Sequence, residues 1–200
     1  ITITENESSP TVTLATSATS IAENSGSTLT LTATISQAAD EDVTVNLGAA
    51  GTSTNGTDYG SISSITVSAG ATTGTATFDP TDDSVYEGSE TAVISISSVS
   101  GADAAESGSQ SVTITITENE SAPTVTLAVS ATSIAENAGS SLTLTATLSG
   151  ATDSAITVAL DTSGTATEGT DYTDGSGNID DITISAGSTS GTVNFTPTDD

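Results

Sequence analysis

The chain has 200 residues, and it contains 26 Asp and Glu side chains but no Lys, Arg or His, so its formal net charge is −26. Binding to nucleic acid and attachment to a membrane through a basic patch are excluded, because both need Lys or Arg. The absence of Cys and His also removes disulfides, zinc sites, thiolate nucleophiles and imidazole bases, so we predict that the chain is not an enzyme.

Short runs of alternating apolar and polar residues follow one another along the first half of the chain. They cover residues 11–15, 27–36, 42–47, 61–68, 74–79, 91–99 and 110–117. Period-two alternation is the pattern of a half-buried β-strand, and no helical period is present. Seven such strands within about 110 residues predict an all-β fold, a seven-stranded antiparallel sandwich of immunoglobulin-like type. No apolar run approaches the ~20 residues of a membrane-spanning helix.

The sequence repeats itself. The stretch ITITENESSPTVTLATSATSIAEN at residue 1 returns as ITITENESAPTVTLAVSATSIAEN at residue 114. Tyr59 corresponds to Tyr172 at an offset of 113, and Phe78 corresponds to Phe195 at an offset of 117, so the second copy carries four extra residues in a loop. Self-similarity at this period predicts tandem domains. We expect the last strand and linker of a preceding repeat at 1–9, a complete domain at 10–120 and a second domain, incomplete at its C-terminal end, at 121–200.

Acidic residues are concentrated in four segments of the complete copy. If consecutive strands alternate in direction, the loops after the first, third and fifth strands lie at one end of the sandwich together with the tail after the seventh. These segments carry eight carboxylates, those of Glu23, Asp58, Asp82, Asp83, Glu87, Glu90, Glu118 and Glu120. Each pair costs about 0.1–0.2 kcal/mol in screened water, so their repulsion sums to a few kcal/mol.

A bound divalent cation would offset that repulsion, because the chain has no positively charged side chain that could do so. Carboxylate, amide and backbone oxygens are the ligands of hard cations. Calcium fits better than magnesium, since loops from four places supply many ligands in irregular geometry. We therefore predict a Ca²⁺ site at this end of the sandwich.

The strings IAEN, GTDY, DDSVYEGSE and VTITITENE resemble the Calx-beta domain family, which is known from the regulatory calcium-binding domains of sodium–calcium exchangers and from tandem arrays in bacterial surface proteins. The resemblance implies calcium ligands at the positions that match the family's motif. In the first copy these are Glu23, Asp58, Asp82, Asp83, Glu87 and Glu90, and in the second copy they are Glu136, Asp171, Asp199 and Asp200. Glu118, Asn119 and Glu120 stand where calcium-binding members usually have a run of aspartates.

The leading hypothesis is an extracellular structural stalk or spacer of a repetitive bacterial surface adhesin or filament protein, stiffened by calcium at domain ends and junctions. Its expected partners are neighbouring repeats of the same chain, with lateral self-association or a host or surface ligand reached through other regions. A carbohydrate- or protein-binding adhesive module is the alternative, and a cadherin-like array is a near rival. A glycosidase built on paired carboxylates is disfavoured, because aromatic residues make up only 2% of the chain and no cleft-forming insertion is present.

Overall fold

The computed structural model describes residues 8–175 and 179–199, and the chain divides into two units. The first comprises Ile1–Asp83 and Gly88–Asn119, and the second comprises Ser84–Glu87 and Glu120–Asp200. All regular structure in the described ranges is β-strand, so none of these residues belongs to a helix that could cross a membrane. The predicted all-β sandwich class is confirmed.

The described residues of the first unit form nine strands. They are β1 (Thr11–Thr16), β2 (Ser20–Ala22), β3 (Leu29–Ile35), β4 (Val43–Gly51), β5 (Ser64–Val67), β6 (Thr73–Phe78), β8 (Glu90–Ser100), β9 (Ala105–Glu106) and β10 (Ser111–Thr117), while β7 (Val85–Tyr86) belongs to the second unit. One sheet has the order β6-β3-β1-β9 and the other β2-β10-β8-β4-β5. The pairings β1 with β9 and β10 with β2 are parallel, and the other pairings of these two sheets are antiparallel.

The core of the first unit is formed by the apolar residues that alternate with polar ones along the predicted strands. In β3, Leu29, Leu31, Ala33 and Ile35 are buried. Counterparts from the other sheet complete one cluster with them, among them Val43, Val45, Ile65, Ala92, Ile94, Ile114 and Ile116. Apolar side chains on facing sheets therefore exclude water between the two layers, which is the main stabilising term for a sandwich.

One glycine shows how closely the two edge strands β5 and β6 approach. A Cβ atom at Gly74 would lie 2.2 Å from the carbonyl oxygen of Thr66. No side chain fits at that distance, so glycine is required there by the close contact of two backbones. Gly191, which has the same position in the second copy, would meet the carbonyl oxygen of Thr183 at 2.4 Å.

The second unit contains β11 (Val125–Val129), β12 (Leu142–Leu148), β13 (Ala151–Thr152), β14 (Ile156–Val158), β15 (Tyr172–Thr173), β16 (Ile182–Ile184) and β17 (Ser190–Pro197). Its largest sheet has the order β11-β12-β17-β15, while β14 pairs with β16 and β13 pairs in parallel with β7. Tyr172 stacks on Phe195 at a ring separation of 4.5 Å.

The apolar row of β11 is exposed in the second unit. Val125, Leu127 and Val129 are 44%, 53% and 41% exposed, whereas Val12 and Leu14, the counterparts of Val125 and Leu127 in β1, are buried. In the first unit, β8 and β10 lie in the sheet that covers the equivalent apolar row of β1. The described part of the second unit has no strands corresponding to them, so the row is not covered there.

Candidate metal site

Two glutamates meet at one end of the first unit because two strand ends are in register. The parallel pairing of β2 with β10 places Ala22 opposite Thr117, and the N–H of Glu23 then donates to the carbonyl oxygen of Thr117 at 3.1 Å. The residues that follow on each strand are Glu23 and Glu118. Their carboxylates each offer an oxygen within 4.8 Å of the other. Glu23 is only 6% exposed, so a charged group that normally lies in water is buried next to another of the same sign.

Backbone N–H groups hold both carboxylates in place. The N–H of Gly88 donates to Glu118 Oε2 at 2.7 Å, and the N–H of Asp83 donates to Glu23 Oε1 at 3.4 Å. The N–H of Asn119 donates to the other oxygen of Glu118 at 2.9 Å. These donors satisfy part of the hydrogen-bonding capacity of the two carboxylates, but N–H groups carry no full positive charge.

A second pair of acids lies in the same unit. Asp58 and Glu90 also offer carboxylate oxygens within 4.8 Å of each other. Asp58 lies in the turn after β4, where its Oδ2 accepts the N–H of Thr54 at 2.5 Å and its carbonyl oxygen accepts the N–H of Thr81 at 2.9 Å. Glu90 is the first residue of β8. The loops after β4 and β6 and the start of β8 therefore converge.

Tyr59 anchors the turn that carries Asp58. Its side chain is fully buried, and its ring stacks on Phe78 at a separation of 4.6 Å. Burial, followed by the charge of the Asp58 carboxylate, raises the pKa of Tyr59. The phenol therefore stays neutral at physiological pH, and its oxygen has no hydrogen-bond partner among the described residues. Tyr59 thus positions the turn through its ring.

The other predicted ligands of the first copy differ in their exposure. Asp82, Asp83 and Asn119 have exposed side chains. Glu87 and Glu120 are partly buried and belong to the second unit.

In the second copy, Asp171 repeats the turn of Asp58. Its Oδ2 accepts the N–H of Thr167 at 2.6 Å, and its carbonyl oxygen accepts the N–H of Thr198 at 2.9 Å. Glu136 is exposed and lines a cavity of about 520 Å³ together with Asp171. Asp199 is exposed, and Asp200 lies outside the described residues.

A further group of acids was not singled out from the sequence. It lies in the loop that contains the four extra residues of the second copy, where the N–H of Asp180 donates to Asp174 Oδ2 at 3.3 Å. Repulsion from the Asp174 carboxylate, and then a hydrogen bond between the two side chains, raises the pKa of Asp180. The string DGSGNIDD, with three aspartates in eight residues, was the available signal.

Two family models cover almost the whole chain. Residues 9–119 match the LapA domain, and residues 118–200 match the Calx-beta domain. The chain belongs to the LapA domain family. The Calx-beta resemblance is confirmed for the second copy, whereas the LapA domain is the match for the first. Both are non-enzymatic binding or structural domains, and they indicate a surface or adhesion-related β-domain protein.

Three of the solved structures that match the chain come from Calx proteins. The crystal structure of CBD12 from CALX1.2 has a TM-score of 0.42 and 19% identity, over 89% of this chain and 71% of that one. The apo-form Calx CBD1 domain has a TM-score of 0.44 and 16% identity, over 56% of this chain and 99% of that one. The calcium-binding domain CBD12 of CALX1.1 has a TM-score of 0.43 and 18% identity, over 88% and 70%. No curated protein matches the chain.

Proposed function

We propose that this chain is part of the extracellular stalk of a repetitive bacterial surface adhesin or filament protein, in which tandem sandwiches act as spacers and calcium stiffens them. Two findings support the proposal. Both matching domain families indicate a surface or adhesion-related protein. The chain also repeats a stretch of about 36 residues almost without change, as a spacer that needs length rather than diversity would.

The observation that carries the calcium part of the proposal is the burial of Glu23 within 4.8 Å of Glu118. A buried like-charge pair costs free energy unless a proton or a cation neutralises it. The chain has no Lys, Arg or His, so the neutralising cation has to come from solution. The donors are oxygens only, and they come from several loops, which is the donor set of Ca²⁺.

The proposed ligands in the first copy are the residues predicted from the sequence. Glu23 with Glu118 and Asp58 with Glu90 form the two close pairs. Asp82, Asp83 and Glu87 precede Glu90 in one acidic segment, and Asn119 and Glu120 follow Glu118. Glu118, Asn119 and Glu120 also belong to the short segment 118–124 that connects β10 with β11. A cation bound by these residues would restrict the connection between neighbouring domains.

A carbohydrate-binding module receives less support than a spacer. Sugar-binding surfaces use exposed aromatic rings. The chain has only five aromatic residues, and none is exposed, since Tyr59, Phe78 and Tyr172 are buried and Tyr86 and Phe195 are partly buried.

The calcium proposal is tested by calorimetric titration of the 200-residue chain with Ca²⁺ and with Mg²⁺. We expect heat from Ca²⁺ binding at up to millimolar concentration and reduced binding in Glu23→Gln. Asp40→Asn is the matched control, because it removes the same charge from an exposed loop beyond the other end of β3, about 20 Å away. Absence of Ca²⁺ binding by the parent, or equal loss in both variants, would refute the site.

The stalk proposal has a separate test. Small-angle scattering with calcium and with chelator should give a larger and less variable maximum dimension when calcium is present. A chain that binds calcium without any change in its scattering would retain the site and lose the stiffening role.

A further inference from the structure

The chain contains a single Asn-Gly sequence, Asn55-Gly56, in the turn between β4 and β5. In this sequence the backbone nitrogen of the glycine can attack the side-chain amide carbon of the asparagine. Glycine offers the least steric hindrance to that attack, because it has no side chain. Asn55 is exposed, so water reaches the site.

The folded turn occupies the groups that would react. The N–H of Gly56 donates to the carbonyl oxygen of Tyr59 at 2.9 Å, so the attacking nitrogen is engaged. The side-chain amide of Asn55 donates to the carbonyl oxygen of Ile62 at 3.0 Å and accepts the N–H of Ile62 at 3.0 Å. The amide carbon is therefore held toward Ile62 by two hydrogen bonds, and attack requires all three bonds to break.

We infer that Asn55 is a deamidation site that the folded turn keeps closed, and that local opening of residues 54–57, while Tyr59 and Ile62 stay buried, is enough to release it. In the reaction the Gly56 nitrogen forms a bond to Asn55 Cγ, and the bond from Cγ to Nδ2 breaks. Ammonia leaves with the proton of the Gly56 N–H. Water then opens the resulting succinimide at either carbonyl, which gives aspartate or isoaspartate at position 55.

The second copy shows which of the two hydrogen bonds between Asn55 and Ile62 an acidic side chain can still form. Glu168 stands at the position of Asn55, and its Oε1 accepts the N–H of Ile179, the counterpart of Ile62. Its Oε2 accepts the hydroxyl of Thr162 at 3.0 Å. An acid at position 55 would still accept the N–H of Ile62, but its second oxygen would take the place of the amide nitrogen that donates to the carbonyl oxygen of Ile62.

Deamidation should therefore destabilise the closed turn, and the turn should not regain its original hydrogen bonds afterwards. The product replaces a donor with an acceptor that faces another acceptor, and it adds a negative charge three residues before Asp58. Isoaspartate also lengthens the backbone within the turn that carries Tyr59. The reaction is irreversible, so the modified fraction would record how long and how often the turn has been open.

Mass spectrometry measures the reaction on a convenient fragment. Trypsin has no site in this chain, but cleavage after Glu41 and Glu87 releases residues 42–87. This fragment contains two asparagines, Asn55 and Asn46. Asn46 precedes Leu47, whose side chain hinders the attack, so it serves as an internal control.

The 200-residue chain is incubated at neutral pH in buffer, at several low urea concentrations, and fully denatured in urea. We expect Asn55 to deamidate readily in the denatured chain and on the order of 100-fold more slowly in the native chain, because three hydrogen bonds of about 1 kcal/mol each must open. Local opening exposes little surface, so the native rate should barely change at low urea.

Two results would overturn the inference. If native and denatured chains react at the same rate, the hydrogen bonds do not close the site. If the native rate rises with urea as steeply as global unfolding does, or lies at the value set by global unfolding, the turn does not open locally. Asn55→Asp reports the consequence independently, since it should lower the melting temperature and change the near-ultraviolet circular dichroism of the tyrosines, to which Tyr59 contributes.

Discussion

Replacement of Glu23 by Gln should change stability in opposite directions with and without calcium. Gln has the same shape, and its carbonyl oxygen can still accept the N–H of Asp83 as Glu23 Oε1 does. The substitution therefore removes the negative charge beside Glu118 with little disturbance of the packing around a buried side chain.

The size of the effect follows from the separation of the two carboxylates. An oxygen of one carboxylate lies no more than 4.8 Å from an oxygen of the other, and two unit charges at that distance repel each other by about 3.5 kcal/mol at an effective dielectric constant of 20 and by about 0.9 kcal/mol in bulk water. Glu23→Gln should therefore raise the free energy of unfolding by about 1–3 kcal/mol when calcium is absent. A calcium ion at 100 times its dissociation constant stabilises the parent by about 2.7 kcal/mol, and the variant should lose most of that gain.

Thermal unfolding followed by circular dichroism tests this prediction in chelator and in millimolar calcium. For a domain of this size, 1 kcal/mol corresponds to roughly 4 °C or more in melting temperature. We expect the variant to melt above the parent in chelator, and to gain less than the parent from calcium. Asp40→Asn should leave both values nearly unchanged. A variant that melts below the parent in chelator would refute the repulsion argument, since the glutamate charge would then be stabilising without a metal.

Three further substitutions test other parts of the structure. In urea titration, Gly74→Ala should lower the free energy of unfolding by about 1–3 kcal/mol, because its methyl group would lie 2.2 Å from a backbone oxygen of β5. Gly60→Ala is the control and should lower it far less, because the nearest atom to its methyl group would be 3.9 Å away. Tyr59→Phe should stabilise by about 1 kcal/mol in thermal unfolding, since it removes a buried hydroxyl without a hydrogen-bond partner. Repulsion from Asp174 raises the pKa of Asp180 in the folded chain above its value in the unfolded chain. The free energy of unfolding should therefore fall as the pH rises from the unfolded-state pKa to the folded-state pKa, and Asp180→Asn should remove this part of the pH dependence.

The strands could be predicted from sequence wherever alternation was long enough to be seen. Each of the seven predicted runs contains or overlaps a strand, and β3 buries the four side chains that its period selects. The short strands β2 and β9 were missed, because two or three residues cannot show a period. They form by parallel pairing with β10 and β1, which are distant in sequence. The extension of β4 to Gly51 was missed because a register shift after Asn46 interrupts the alternation.

The candidate site could be predicted only in part for a related reason. The alternating direction of consecutive strands indicated that the loops of Glu23, Asp58 and Glu90 share one end of the sandwich. It could not show which carboxylates would lie side by side. The Glu23–Glu118 pair depends on the register of β2 with β10, and β2 was not predicted. The burial of Glu23 depends on the same pairing, so the strongest indication of a cation site required the structure.

Added salt should stabilise this chain when calcium is absent. In most proteins salt weakens favourable ion pairs as well as repulsions, so the net effect varies in sign. Here every charged side chain is negative, so screening between side chains can only relieve repulsion. Raising the ionic strength from about 0.01 M to 0.15 M shortens the Debye length from about 30 Å to about 8 Å, and it should raise the melting temperature in chelator.

The same titration separates screening from specific binding of the added cation. Sodium chloride and choline chloride at equal ionic strength should act alike if screening is responsible, whereas a site that binds sodium would respond to the first salt only. In saturating calcium the rise should be smaller, because the bound ion already neutralises part of the acidic end. A melting temperature that falls with salt in chelator would mean that repulsion between side chains does not limit the stability of this fold. The buried Glu23–Glu118 pair would then not be sufficient evidence for a metal site.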